Sequence, residues 1–332
     1  MSNNLIQVIE YQHAEDFFRD LSYGGCLYQL KNSSFVFRGH SHSYYKLVPK
    51  ALREDIIQFN KYATKNNRED SPENLQILNE LYLLYDFFNT CDYNGLFLPD
   101  VDRLRNIIFS FFDIQTIFKN EMWLPKDLYE IAALAQHYGL PTRLLDWTYD
   151  INISIYFALS EYLCNPLCTS PKSDNIDIWA LDTNICTNTA ILQIPYDSQH
   201  EENLIGNLLN IRFPLKVIRP QYSGNPNLCA QKGLFTFWEV KKNNAVDGTN
   251  KPVDRRSLDE LLKDFITNND ALKPFIHLPL LYKISLPNRE IKKLYGYIRS
   301  NHIDASTLFP GYNGVVKSIQ DEIAIKSLII TE

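Results

Sequence analysis

Residues 134–158 read LAQHYGLPTRLLDWTYDINISIYFA. Gly139 is placed to end a helix and Pro141 to stop it from continuing. Within the next seven positions an Arg, an Asp, a Trp and a Thr crowd together, and an apolar, aromatic segment follows. Burying Arg143 and Asp146 beside Leu144, Leu145 and Trp147 is costly unless the charges pair and hydrogen-bond. Three residues apart, Arg143 and Asp146 pair with each other if the segment is helical. Thr148 precedes a helix expected over 151–163 and can cap it. Trp147 offers a ring face for stacking, and His137 reads either as a hydrogen-bonded structural histidine or as a base. The stretch is therefore either a network holding two helices together or one wall of a site.

Outward from this stretch, apolar residues recur three and four apart over Leu75–Phe88 and Val101–Phe118, predicting a helical hairpin. Residues 12–31 predict a helix broken at Gly24-Gly25. Pro125 opens a helix running to about Tyr138, and further helices are expected over Asp259–Thr267 and Arg289–Arg299. Strands are expected at Phe35–Arg38, Ile176–Leu181, Leu215–Ile218, Leu234–Val240 and Leu281–Ile284, where β-branched and aromatic residues alternate or cluster. Asn60–Asn74 and Asn243–Arg256 are polar loops. Asp321–Ile325 reads as an acidic start to a strand or as a terminal helix. The pattern is α+β rather than regular βαβ alternation. It implies a mixed or split sheet with a helical N-terminal part and a helical insertion at about 60–125, within one domain over 1–332.

The 332 residues carry a net charge of −6, with 45% hydrophobic and 22% charged residues. That supports a sizeable core and argues against wholesale binding to nucleic acid or anionic membrane. The six cysteines are scattered without a CxxC pair, and no HExxH, GxxxxGK[ST] or GxGxxG is present. No metal site is expected, nor the usual dinucleotide or NTP fingerprints. The N-terminus lacks a signal-peptide pattern and no run of about 18 apolar residues occurs, so the expectation is a cytoplasmic protein with no membrane contact.

Three other segments carry candidate chemistry. In Phe37-Arg38-Gly39-His40 a guanidinium stands at a strand end, where its fork suits phosphate or carboxylate; an internal ion pair is the simpler role. Gly39 permits a positive φ or close approach of a ligand, and His40 can donate to a ribose or phosphate. In Ala230-Gln231-Lys232-Gly233-Leu234-Phe235-Thr236, Gln231 either stabilises a turn or binds a hydroxyl edge. Leu308-Phe309-Pro310 reads as an apolar anchor. Lys46, Lys50 and Arg53 form a basic cluster, a solvated face or a contact to nucleic acid.

Together these segments resemble the FRG-domain family, named for its Phe-Arg-Gly signature. FVFRGHSHSYYKLVPKALR at 35–53 carries the signature, and AQHYGLPTRLLDWT at 135–148 with Tyr156-Phe157-Ala158 carries the central motif. AQKGLFT at 230–236 and TLFPGYNG at 307–314 follow in the family's order, so the likeness runs from about 20 to 318. By position the chain is also similar to the ADP-ribosyltransferase plan, which implies an enzyme using NAD as substrate for transfer to a protein or nucleic-acid acceptor, or for glycohydrolysis, in a toxin or anti-phage effector. On that likeness Arg38, Gly39 and His40 bind the nucleotide with Thr148, and Trp147 or Tyr156 stacks on nicotinamide. Gln231 takes the late slot where such enzymes carry a glutamate. A neutral amide cannot stabilise a developing cation, so Asp146 or Glu239 would supply the charge. The alternative is a non-catalytic module sensing a nucleotide or phosphate ligand in a bacterial or phage conflict system.

Overall fold

The computed structural model describes residues 4–31, 34–54, 71–105, 122–164, 175–184, 213–241, 252–269, 272 and 279–328. The fold is α+β. Nine strands are described: β1 (Ile6–Glu10), β2 (Phe35–His40), β3 (Met122–Trp123), β4 (Leu145–Thr148), β5 (Asn175–Asp182), β6 (Leu215–Ile218), β7 (Gly233–Trp238), β8 (Val240–Lys241) and β9 (Leu281–Pro287). Seven form a mixed sheet in the order β1-β9-β5-β2-β4-β7-β6, and β3 pairs with β8 separately. Among the described residues only the β1–β9 ladder is parallel. The N-terminal part, expected as helical, thus opens with an edge strand before its helix.

The longer helices are α1 (Ala14–Leu21), α2 (Pro72–Tyr93), α3 (Tyr129–His137), α4 (Ile151–Cys164), α5 (Leu258–Thr267), α6 (Ile291–Ser300) and α7 (Tyr312–Ser327). Their ends follow local chemistry. Ser71 caps α2 by accepting from the Asn74 amide at 3.3 Å, with Pro72 in the first turn. Ser257 and Glu260 close a capping box on α5. Gly139, at φ +93°, turns the chain out of α3. Asp321–Ile325 lies within α7, so the terminal-helix alternative holds. Of the expected helix over Val101–Phe118, only Val101–Arg105 falls within the described residues, helical over Asp102–Arg105, and the loops at 60–74 and 243–256 fall mostly outside them. No described helix is long and apolar enough to cross a membrane.

Two apolar layers sandwich the sheet. On one side Phe37, Ile178, Tyr282 and Ile284 pack against α1, α4, α6 and α7. On the other, Val36, Leu145, Trp147, Trp179 and Leu234 meet Leu258 and Leu262 of α5. A third cluster joins Phe235 and Phe237 of β7 to α2 and α3. The sheet is weakly knit at its centre. β2 registers with β5 over six residues and β4 with β7 over four, yet β2 and β4 share a single registered pair, Phe37 with Thr148. Beyond that rung the two strands diverge, and a cleft opens beside them.

Candidate functional site

The segment carrying Asp146 is not helical, the condition on which Arg143 and Asp146 would pair. Leu145–Thr148 is strand β4, held by β7, so Arg143 and Asp146 do not pair with each other. Arg143 turns inward to α2. Its Nε donates to Glu80 at 2.6 Å, and its Nη2 donates to Glu80 at 2.9 Å and to Glu73 at 3.3 Å. All three side chains are at most 5% exposed. Burial works against the guanidinium's charge, but the Glu80 and Glu73 carboxylates outweigh it and raise the Arg143 pKa. Trp123 and Gln76 also donate to Glu80. Arg143 is therefore a structural tie between the motif and the helical module.

Asp146 instead faces a cleft of about 1310 Å³, half-open to solvent. Arg38 reaches it across the gap between β2 and β4. Nη1 donates to the Asp146 carbonyl at 2.9 Å and to its carboxylate at 3.1 Å. Gln136 Nε2 holds the other carboxylate oxygen at 2.9 Å, and Thr142 in turn orients Gln136. Arg38 Nε donates to His40 Nε2 at 3.0 Å, which requires a neutral ring. Burial, with the Arg38 charge beside it, pushes the His40 pKa down to about 2. Two edges of the guanidinium are thus engaged, and only Nη2 makes no bond among the described residues.

Of the residues expected at a site, Arg38, Gly39, His40, Asp146, Trp147, Thr148 and Gln231 line this cleft, whereas Glu239 and Tyr156 do not. Glu239 is buried near Lys216, 3.8 Å away. Tyr156 is fully buried in α4 and donates to Asp321 at 2.9 Å. Neither can serve as the acid or the stacking ring. Trp147 is 3% exposed and spends its indole N–H on Thr236, so its ring is core rather than an open stacking face. Gly39 needs no positive φ; an added Cβ would lie 2.0 Å from the Ser154 carbonyl oxygen. Its bareness lets β2 and α4 touch rather than admitting a ligand. Thr148 donates to the Gln231 carbonyl at 2.8 Å and accepts from the Asp150 amide. Asp150 accepts from the Asn152 amide at the start of α4. Gln231 Nε2 donates to the Leu308 carbonyl at 3.2 Å, tying the 230–236 element to the 307–314 element.

The cleft also holds residues that the sequence reading did not single out. Ser154, Phe157 and Glu161 line it from α4, spaced three and four apart, so one helical face delivers them. That spacing was legible once the helix was assigned. Glu161 accepts from Ser41 and, at 3.0 Å, from Tyr45. Burial, reinforced by this carboxylate, raises the Tyr45 pKa. Phe309, from the closing Leu-Phe-Pro element, also reaches the cleft. Five cationic side chains line it (Arg38, Lys46, Lys50, Arg53 and Arg255) against three carboxylates (Glu54, Asp146 and Glu161). In a chain of net charge −6 this is a local excess of positive charge. Lys50 and Arg255 each donate to a backbone carbonyl, of Gly139 and Leu52. The hollow can accept an anionic ligand of nucleotide size, with aromatic edges at Phe157 and Phe309 and an oriented carboxylate at Asp146.

Comparison with known proteins adds one match. The FRG domain model aligns with residues 33–165, which contain the Phe-Arg-Gly signature and the whole central motif, but neither the 230–236 nor the 307–314 element. No curated protein and no solved structure matches. The matched segment supplies β2, β4 and α4, and with them Arg38, His40, Asp146 and Glu161; the chain carries a match to the FRG domain over residues 33–165.

Proposed function

We propose that the cleft binds NAD and that the protein cleaves its nicotinamide–ribose bond, passing ADP-ribose to a protein or nucleic-acid acceptor or to water. One observation carries this reading. Arg38, His40, Asp146 and Gln231, distant in sequence, converge on one hollow rich in positive charge. The cations suit a diphosphate. Asp146, oriented by Gln136 and Arg38, faces the ribose as positive charge develops there. The bonding pair leaves with the nicotinamide nitrogen, the acceptor oxygen attacks the anomeric carbon, and its proton passes to solvent.

A second reading, a sensing module without turnover, is favoured by two features. Arg38 partly neutralises Asp146, and Gln231 is an amide engaged with Leu308. Nicotinamide release and NAD binding, measured together on the same protein, separate the two. Turnover by the wild type should fall on the order of 10²–10³-fold in Asp146→Asn, the range for losing a stabilising polar group at a transition state. Wild-type turnover in Asp146→Asn refutes Asp146's role. Tight binding with no nicotinamide released selects the sensing module, and no binding at all removes NAD from both readings.

A further inference from the structure

Helix α7 is buried along one face and carries an apolar stripe on the opposite one. Gly314, Ser318, Asp321, Ala324 and Ile325 are buried against the body of the protein. On the other side Tyr312 is 92% exposed, Val315 48%, Val316 54%, Ile319 55% and Ile323 62%. At about 100° per residue these five side chains fall within an arc of roughly 100° centred opposite the buried face. Isolated exposed apolar residues need no explanation, but a contiguous stripe along about three turns does.

We propose that this stripe packs antiparallel against the same stripe of a second copy of the chain. The spacing itself points to a like partner. An isologous two-fold contact requires that residue i meet j while j meets i. Val315, Ile319 and Ile323 satisfy this about Ile319, while Val316 meets the aliphatic stem of Glu322, whose carboxylate is held by Arg299. Val315 and Ile323 stand four positions either side of Ile319, and Tyr312 and Lys326 seven. Placed antiparallel across Ile319, each Val315 meets Ile323 of the second copy. Each exposed Lys326 meets the ring of Tyr312, a cation over an aromatic face. The antiparallel arrangement also sets each helix N-terminus beside a C-terminus, which the helix dipoles favour. From typical side-chain areas the five residues bury on the order of 450 Å² per copy. With the flanking polar residues, the total approaches the roughly 1,200 Å² at the lower end of specific interfaces. The dimer is therefore reversible and concentration-dependent rather than obligate.

Sedimentation equilibrium of the full chain over about 1–100 µM tests it. The expected result is a rise toward twice the 38.7 kDa chain mass. Ile319→Glu, which buries a charge against its own copy at the two-fold, should weaken association about 100-fold or more while leaving the circular dichroism melt unchanged. Monomer at 100 µM overturns the proposal, and so does a dimer that Ile319→Glu leaves intact. Single-cysteine additions fix the geometry. Ile319→Cys should form a disulfide-linked dimer above the parent chain's background, and Lys326→Cys should not. Cross-linking through Lys326→Cys overturns the antiparallel pairing. None of these outcomes depends on NAD.

Discussion

Gly39→Ala should be among the most damaging single-methyl additions in the molecule, although Gly39 carries no chemistry of its own. The new Cβ would stand 2.0 Å from the Ser154 carbonyl oxygen and 2.6 Å from the Ala158 nitrogen, both backbone atoms of α4. Restoring ordinary contact near 3.4 Å at Ser154 requires the helix to recede by about 1.4 Å. Gaps of 0.5–1 Å already forfeit roughly a quarter to a half of each dispersion contact, and α4 contributes Ile151, Ile155 and Leu159 to the core beneath it. Overpacking of this kind costs about 1–3 kcal/mol and occasionally more. Backbone on the opposing side, which cannot rotate away, puts Gly39→Ala at about 3 kcal/mol or above. The matched control is Gly296→Ala in the exposed middle of α6, where an added Cβ meets nothing within 4 Å. That change should stabilise by about 0.5–1 kcal/mol, because glycine is the poorer helix former. Urea denaturation of both variants at constant m-value reads the two signs. A Gly39→Ala midpoint within error of wild type would show that β2 and α4 are not in the contact described.

Arg143→Met should destabilise by about 3–5 kcal/mol, since it leaves Glu73 and Glu80 buried without their counter-charge. Adding Glu73→Gln and Glu80→Gln should recover part of the loss, and a loss below about 1 kcal/mol in the single variant contradicts the buried network. His40 sets an acid limb. Its folded pKa lies below its unfolded value, so below about pH 6.5 protons bind the unfolded chain preferentially. The stability is complete above that pH and falls by about 1.4 kcal/mol per unit as the pH drops. His40→Gln should flatten this limb between pH 6.5 and 4.5 by about 2.3 kcal/mol, read from urea midpoints across that range; parallel limbs in the two proteins rule out a buried neutral imidazole.

Much of the framework was legible because it rests on local signals. Leu215–Ile218 matches the expected strand, and Ile176–Leu181 and Leu281–Ile284 fall short only at their ends. Gly139 marked its helix end by chemistry that needs no distant partner, whereas Ser71-Pro72, expected within a polar loop, start α2. What escaped depended on pairing across the chain. β1 is an edge strand whose only described sheet neighbour is β9, more than 270 positions away. β4 is four residues long with a charge in its middle, and it becomes a strand because β7 is there to bond it. Glu73 and Glu80, seven apart on one face of α2, look like solvated acids until Arg143 arrives from elsewhere. At the cleft, Arg38 and Asp146 were readable as residue types, but their contact with each other was not. Trp147 and Tyr156 misled because aromatic rings serve cores and ligands alike, and only their burial decides.

The centre of the sheet has a further consequence. Where the ladder between β2 and β4 stops after one rung, the Arg38 guanidinium takes over as a bridge, donating to the Asp146 backbone carbonyl as a neighbouring strand's amide would. A backbone rung can break only by unzipping the strands. A side chain can swing away and leave every fold-defining bond in place. Whatever draws Arg38 toward the hollow thus slackens a seam between two halves of the protein, and whatever widens that seam returns the guanidinium to solvent.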